Sequence, residues 1–149
     1  MPNITGIATQ DASKGVITTH QQIEVSVESG LKGDYRGESC PRSQVTLLSS
    51  RNWALACAEV GAELEWTERG ANLLVDDIEF NDAMIGQQIQ IGTVLLKISS
   101  ETEPCSHMEV LQPGLQNALT RDWRGGASCM VLRDGIIKVG DNVNFLKRV

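Results

Sequence analysis

The stretch Ser128–Leu146, SCMVLRDGIIKVGDNVNFL, decides the fold class of this chain. It holds three short apolar segments separated by turn residues, Arg133-Asp134-Gly135 after the first and Gly140-Asp141 after the second. Because Asp-Gly favours the positive φ angles of tight hairpins, the pattern predicts three strands that form a meander. The end of the chain is therefore predicted to be β structure.

Strand patterns of the same kind continue towards the N-terminus. Polar and apolar residues alternate in Gln22–Val27, and Val45–Leu48 and Asn72–Val75 are short apolar runs. Alternating residues from Ile89 to Ile98 surround Gly92, which predicts a kinked or bulged pair of strands. Strands are therefore expected along most of the chain.

Two segments carry helix signals. Ser49 or Ser50 can serve as the N-cap of a helix over about Asn52–Val60, which Gly61 would end. Pro113–Leu119 predicts a second short helix with proline near its first turn. Many strands with about two short helices indicate a mainly β fold, a barrel or sandwich with the helices at its periphery.

Length and composition exclude several classes of protein. A chain of 149 residues has the size of one domain, so we expect a single domain over residues 1–149. The net charge of −6 and the scattered basic residues argue against nucleic-acid binding. The N-terminus lacks a signal-peptide pattern, and the sequence has no run of about 18 apolar residues. We therefore expect a cytoplasmic protein without a membrane partner.

The four cysteines form no Cys-x-x-Cys pair, so we expect them to stay reduced. Cys57 lies in an apolar helical run and Cys129 in an apolar strand, where a thiol packs as a small hydrophobic group. Cys40 precedes Pro41 in a loop rich in glycine and serine, where it is expected to be exposed and could be a second redox thiol.

Cys105 follows Pro104 in a polar loop between a strand and a weakly helical segment. A loop thiol near positive charge can act as nucleophile, sulfur carrier or soft-metal ligand, because the thiolate is the reactive form. The alternative is an inert, half-buried thiol. His107 follows two residues later, so the pair could be two zinc ligands or a nucleophile with its base. The other histidine, His20, has no cysteine near it in sequence, which argues against zinc with its usual set of about three or four ligands.

Glycines flank charged residues in two further segments, Gly30–Gly37 and Asp122–Gly126. Glycine lets backbone amides approach a ligand closely, and an arginine beside it can donate a pair of hydrogen bonds to phosphate or carboxylate. Neither segment has the pattern of a P-loop. Taken singly, each is also typical of a surface turn with solvated charges.

Several segments, in this order and spacing, resemble the MOSC domain family, named for the C-terminal domain of molybdenum cofactor sulfurases. They cover most of the chain and are Gly30–Gly37, Gln44–Ser49, Arg69–Val75, Ile85–Gly92, Pro104-Cys105, Trp123–Gly126 and Val139–Asp141. The resemblance implies a β-barrel-like fold, in a small stand-alone member, whose lone loop cysteine faces a ligand cavity. Family members bind, or are thought to bind, the molybdenum cofactor (molybdopterin), a pterin dithiolene with a phosphate. Some belong to sulfur-transferring enzymes, and others reduce N-hydroxylated compounds at molybdenum.

The resemblance also implies roles for individual residues. Cys105 is the expected catalytic residue and molybdenum ligand. Arg36, Asn72, Arg124 and Gly125 are the expected cofactor contacts. We expect the loops of such a fold to gather Arg36, Asn72 and Arg124 with Cys105 at one cavity. The predicted function is that of a molybdenum-cofactor-binding protein, either a sulfur carrier or a small molybdenum-dependent reductase. Its expected partners are the cofactor or a small-molecule substrate, and a redox or sulfur-donor protein.

Two positions depart from the family pattern. Ser43 stands where the family often has arginine before its Gln-Val-Thr-Leu segment, and Ala71 stands where glutamate commonly precedes the Asn-Leu motif. The alternative function is therefore a non-catalytic module that binds a small anion on the same barrel. Whether the chain is an enzyme stays open at this point, because fold alone is a poor guide to function.

Overall fold

The structure, a computed structural model, describes residues 1–146, and the predicted domain end at residue 149 lies outside these residues. The eleven strands within residues 1–146 are β1 (Ile4–Gln10), β2 (Ile17–Thr19), β3 (Gln22–Ser26), β4 (Gly30–Leu31), β5 (Val45–Ser49), β6 (Leu73–Val75), β7 (Gln88–Ile91), β8 (Val94–Glu101), β9 (Ala127–Arg133), β10 (Gly135–Lys138) and β11 (Val143–Phe145). The four α-helices in the same residues are α1 (Arg36–Ser39), α2 (Ser50–Glu59), α3 (Ser106–Leu111) and α4 (Leu115–Thr120). Short 3₁₀ helices lie at Trp66–Arg69, Asp82–Met84 and Arg121–Trp123.

Eight of the described strands form one mixed sheet in the order β11-β7-β8-β9-β5-β6-β1-β2. β5 and β6 are parallel, with Leu47 opposite Leu73, and the other neighbours are antiparallel. β10, β3 and β4 form a second, antiparallel sheet. These sheets confirm the predicted mainly β class.

The two faces of the large sheet pack against different partners, because successive side chains of a strand point to opposite faces. On β5, Leu47 joins a cluster with Ile23 and Ile137 of the small sheet. Its neighbour Leu48 joins a second cluster with Trp53 of α2. Both leucines are fully buried, and burying such a side chain contributes roughly 1.5–3 kcal/mol. This alternation fixes which face of β5 meets the helices.

The large sheet is not closed into a barrel by a continuous ladder within residues 1–146, so the predicted β-barrel-like fold is not confirmed. Its edge strands, β11 and β2, each pair with one neighbour in the sheet. Backbone hydrogen bonds from Ile4 N to Asp141 O at 2.8 Å and from Val143 N to Pro2 O at 2.9 Å bring the start of β1 against β11. The rest of β1 pairs with β6 and β2, so this contact stays local.

The predicted meander of Ser128–Leu146 is wrong in its pairing, although its three strands form as β9, β10 and β11. β9 pairs with β5 and β8, β10 pairs with β3, and β11 pairs with β7. Neither Asp134 nor Gly135 has the positive φ that a tight Asp-Gly hairpin requires. Instead, the Asp134 carboxylate accepts a hydrogen bond from Val27 N at 2.7 Å, which directs the chain to β3 rather than back along β9.

The helix α2 begins and ends as predicted. The Ser49 side chain accepts a hydrogen bond from Asn52 N at 3.2 Å, and Gly61 follows the helix with a φ of 68°. α4 corresponds to the second predicted helix. α3 lies in the weakly helical segment after Cys105. α1 was not expected, because a helix of 4 residues is too short to show a helical period in sequence. None of the helices within residues 1–146 combines the length and apolar character needed to cross a membrane.

Candidate functional site

A cavity of about 360 Å³ opens where the loop before α3, the helix α1 and the β1–β2 hairpin meet. Ligand sites usually measure about 300–1,000 Å³, so this cavity has the size of a small-molecule site. Its walls include Arg36, Thr46, Arg69, Cys105, His107 and Gly125. Three predicted site residues, Arg36, Cys105 and Gly125, are therefore brought together.

Cys105 contributes an exposed thiol to this cavity. Its backbone is extended, with φ −103° and ψ 175°, directly before α3, and its carbonyl oxygen accepts a hydrogen bond from Met108 N at 3.0 Å. The backbone of Cys105 therefore starts the helix, but its side chain makes no capping hydrogen bond to it. The thiol is left available for chemistry.

The other cysteines lie in different surroundings. Cys129 is fully buried, and burial raises the pKa of its thiol well above the usual value. Cys57 is also buried, and burial raises the pKa of its thiol, with partial opposition from a hydrogen bond to the Leu64 backbone. Cys40 is half-buried and follows α1, outside the walls of the Cys105 cavity.

We expect Cys105 to react with iodoacetamide faster than any other thiol of the folded protein, and Cys57 and Cys129 to react only after unfolding. The reason is that alkylation needs an accessible thiolate, which burial disfavours. Timed alkylation followed by peptide mass spectrometry measures each rate. Labelling of Cys57 as fast as that of Cys105 in the folded protein would contradict this order.

Arg36 lies at the same cavity, with its guanidinium held by the protein. Its Nε donates to Asp34 Oδ2 at 2.9 Å and its Nη2 donates to Asp34 Oδ1 at 3.0 Å. Nη1 donates to Gly70 O at 2.6 Å. The Asp34 side chain is 0% exposed and that of Arg36 is 12% exposed. The charge of Arg36 is therefore largely balanced inside the protein.

Arg69 is a cavity residue that no sequence pattern singled out. It ends the 3₁₀ helix before β6 and is 9% exposed. Its Nε donates to Gly125 O at 3.1 Å and its Nη2 donates to Thr102 O at 3.0 Å. The sequence signal that could have found it was its position at the start of the family segment Arg69–Val75.

Burial and neighbouring charges act on the guanidinium of Arg69. Burial lowers the pKa of the Arg69 guanidinium, the negative charge of a Cys105 thiolate opposes that lowering, and the positive charge of Arg36 adds to it. Arg69 and Cys105 both line this cavity. Opposite charges attract more strongly where water is excluded.

Asn72 is fully buried and does not line the cavity. Its side-chain oxygen accepts a hydrogen bond from Thr46 N at 3.0 Å, and its side-chain nitrogen donates to Ala8 O at 3.1 Å. The side chain therefore ties β5 to β1, and Thr46 is the member of this group that reaches the cavity wall.

Arg124 lies at a different cavity, of about 510 Å³, together with Asn52 and Trp123. Its Nη1 donates to Glu59 Oε1 at 2.8 Å and to Ala118 O at 3.3 Å. The hydrogen bond from Arg124 lowers the pKa of the Glu59 carboxyl, and burial partly opposes this effect. The expectation of one shared cavity is therefore wrong for Arg124, as it is for Asn72.

His107 lines the same cavity as Cys105 and is half-buried. Within residues 1–146, no group of three or more His, Cys, Asp or Glu side chains is arranged to hold a metal ion. The pair Cys105 and His107 therefore has no further protein ligands with which to form a zinc site of the usual kind.

Solved structures share this fold. YuaD from Bacillus subtilis aligns with a TM-score of 0.81 and 18% identity, covering 100% of this chain and 98% of that one. YiiM from Geobacillus stearothermophilus aligns with a TM-score of 0.72 and 18% identity over 99% of this chain and 76% of that one. YiiM from Escherichia coli aligns with a TM-score of 0.71 and 14% identity over 99% of this chain and 71% of that one. At these identities the likeness establishes the fold alone.

Sequence comparison identifies the family. No curated protein matches the sequence significantly. The family model of the MOSC domain matches residues 34–144, a range that runs from α1 into β11 and contains Arg36, Arg69, Cys105 and Gly125. Because this match covers well over half of the chain, the protein belongs to the MOSC domain family.

Proposed function

We propose that this protein binds the molybdenum cofactor (molybdopterin) in the Cys105 cavity, with the Cys105 thiolate as molybdenum ligand or as carrier of a sulfur atom. The observation that carries the proposal is the exposed thiol of Cys105 in one cavity with Arg36 and Arg69. The family supports it, because MOSC domains are associated with this cofactor.

The residues of the cavity fit the chemistry of the cofactor. A thiolate is a soft ligand that suits a soft or intermediate metal, and guanidinium groups suit a phosphate. Within the described residues no chelating cluster of His, Cys, Asp or Glu could hold a bare ion. A single protein thiolate is sufficient for a metal that arrives already bound by the dithiolene of its pterin. When bound, the cofactor supplies redox chemistry that the side chains of this cavity lack.

The residues of the cavity would bind and orient the cofactor. Cys105 offers a sulfur atom that can coordinate a metal. It can also attack the outer sulfur of a persulfide on a donor protein, so that the donor's cysteine leaves as a thiolate and Cys105 becomes the persulfide. His107 in the same cavity can take or return the thiol proton. Gly125 lets two backbone segments of the cavity wall approach each other closely, because a Cβ at this position would collide with Thr102 O. That close approach lets Arg69 donate to both Gly125 O and Thr102 O.

We expect the protein purified from a host that makes the cofactor to contain molybdenum and pterin, and Cys105→Ala to lose most of the molybdenum. Cys40→Ala is the matched control, because it removes a thiol that does not line the cavity, and it should keep the metal. Elemental analysis and pterin fluorescence after oxidation measure both contents. If the wild type holds neither molybdenum nor pterin, and Cys105 carries no transferable sulfur, the proposal is wrong.

The second candidate function is a non-catalytic module for a small anion. One observation favours it: Arg69 has no carboxylate partner within residues 1–146, so the cavity attracts anions with or without a metal. The two functions differ in their need for the thiol. Full ligand binding by Cys105→Ala would favour the anion module over the molybdenum protein.

A further inference from the structure

A second cavity, of about 510 Å³, is separate from the Cys105 cavity, and the proposed function does not use it. The first turn of α2, the segment after β6 and the segment after α4 form its walls, which include Asn52, Asp82 and Trp123. We refer to it as the Trp123 cavity. No residue within 1–146 lines both cavities, and the volume suits a small molecule. A ligand in the Trp123 cavity would therefore leave the Cys105 cavity open.

Asn52 is a buried polar residue of this cavity whose side chain the fold does not use. It is 3% exposed, and its main-chain N–H donates to Ser49 Oγ at 3.2 Å. Its side-chain amide forms no hydrogen bond with another residue in the described part of the chain. The amide is not sealed in the interior, where Ser99 Oγ is the unpaired side-chain atom, but reaches the cavity. Because buried amides normally have partners, the free amide indicates a ligand with polar groups.

Trp123 supplies a flat apolar wall beside Asn52. Asp122 and Trp123 have positive φ angles of 52° and 56°, a conformation that costs about 1–3 kcal/mol for each residue other than glycine. Trp123 packs against the larger core cluster and also lines the cavity. The strained turn therefore brings an indole ring and a carboxylate to the same cavity. An indole stacks on flat groups, and its face attracts cations.

The charges of the cavity wall are mainly negative. Asp82 and Asp122 take part in none of the ion pairs within residues 1–146, and Glu79 is paired with an exposed arginine. Arg124 also lines the cavity, but it donates to the Glu59 carboxylate at 2.8 Å, which balances its charge. Carboxylates that line a cleft raise the local concentration of cations. The cavity therefore favours a positively charged ligand.

We infer that the Trp123 cavity binds a small organic cation in which a flat ring carries an amidinium or ammonium group. The ring lies against Trp123, and the cationic group meets the carboxylates of Asp82 and Asp122. The Asn52 amide oxygen accepts one of its N–H groups. This site does not depend on the proposed function and stands in protein with or without molybdenum.

Three probes that share a ring and differ in charge test the inference: benzamidine is a cation, benzamide is neutral and benzoate is an anion. Each is titrated into isotope-labelled protein at constant ionic strength and followed by two-dimensional NMR. Benzamidine should bind most tightly and benzoate most weakly. The signals of the Trp123 indole and the Asn52 amide should shift, whereas the indoles of Trp53 and Trp66, which line another cavity, serve as internal controls. Equal affinities for the three probes, or shifts confined to the two control indoles, would contradict the inference.

Asp122→Asn tests the charge, because it keeps the size of the side chain and asparagine tolerates a positive φ. Its affinity for benzamidine should fall by about two- to fivefold, as expected for an exposed pair of charges, and its affinity for benzamide should stay nearly the same. Glu28→Gln is the matched control, because it removes an exposed carboxylate outside the cavity and should bind both probes as the wild type does. An unchanged affinity of Asp122→Asn for benzamidine would overturn the cationic class of ligand.

Asn52→Leu separates ligand binding from stability. Because the Asn52 side chain makes no hydrogen bond within the described chain, leucine should not lower the melting temperature, but the affinity for benzamidine should fall by about fivefold or more. If the added bulk lowers the melting temperature, Asn52→Ala removes the same amide without it. A folded Asn52 variant with wild-type affinity for benzamidine, or wild-type protein that binds none of the three probes, overturns the inference whether or not molybdenum is present.

Discussion

Asp34→Ala is expected to lower the free energy of unfolding by about 3–5 kcal/mol, the usual cost of removing one partner of a buried ion pair. The Asp34 side chain is 0% exposed and binds Arg36 through both carboxylate oxygens. It also accepts a hydrogen bond from Gln10 N at 2.9 Å. Its loss leaves the guanidinium of Arg36 and a β1 amide without their acceptor. For a chain of this size the melting temperature should fall by roughly 10 °C.

The control for Asp34→Ala is Glu24→Ala, which breaks the exposed Glu24–Lys32 pair at 3.4 Å. Exposed pairs contribute at most about 1 kcal/mol, so this variant should unfold close to the wild type in urea. The double variant Asp34→Leu with Arg36→Met should recover part of the loss, because apolar residues of similar size can replace a buried pair. Equal midpoints for Asp34→Ala and Glu24→Ala would show that the Asp34–Arg36 pair does not stabilise the fold.

The positions of the strands could be predicted from sequence, because side-chain alternation is a local property. The alternating residues around Gly92 form the hairpin of β7 and β8, and Ser49 caps α2 as its position suggested. Pairing is not local. Strand β10 joins β3 rather than β9 through contacts such as that of Asp134 with Val27, residues 107 apart in sequence. A turn motif cannot reveal a competing partner at that distance.

The candidate site could be predicted only in part, because some of its residues have local sequence signals and others are set by contacts between distant segments. Cys105 follows a proline in a polar loop and Arg36 stands in a glycine-flanked charged segment, so both have local signals, and both reach the cavity. The sequence cannot show which arginine lacks a carboxylate partner, because that depends on acceptors from distant segments. Arg124 donates to the Glu59 carboxylate, which is 65 residues away in sequence. Arg69 donates only to backbone carbonyls, which are 56 and 33 residues away in sequence. The arginines expected to contact the cofactor were Arg36 and Arg124, and both are paired with carboxylates, whereas Arg69 is not.

Asn72 raises the question of whether a fully buried amide can contact a ligand or serves the fold alone. Its oxygen accepts from Thr46 N and from Thr46 Oγ1 at 3.3 Å, and its nitrogen donates to Ala8 O. Removing these atoms leaves a buried N–H and a buried carbonyl without partners. Each such group costs about 1–3 kcal/mol, so Asn72→Ala should destabilise the protein by about 2–6 kcal/mol. Asn144→Ala, at an exposed position of β11, should change stability by less than about 0.5 kcal/mol.

For Asn72→Ala, the free energy of unfolding and the affinity for phosphate should be measured on the same samples and compared. If Asn72 acts only through β1 and β5, the folded fraction of the variant should bind inorganic phosphate nearly as the wild type does, because the Arg69 guanidinium is held by Gly125 and Thr102 instead. Urea unfolding with phosphate titration below the transition measures both quantities. A variant that unfolds with the wild type but loses phosphate affinity would place Asn72 in ligand binding, because a structural amide cannot be removed from the core without a loss of stability.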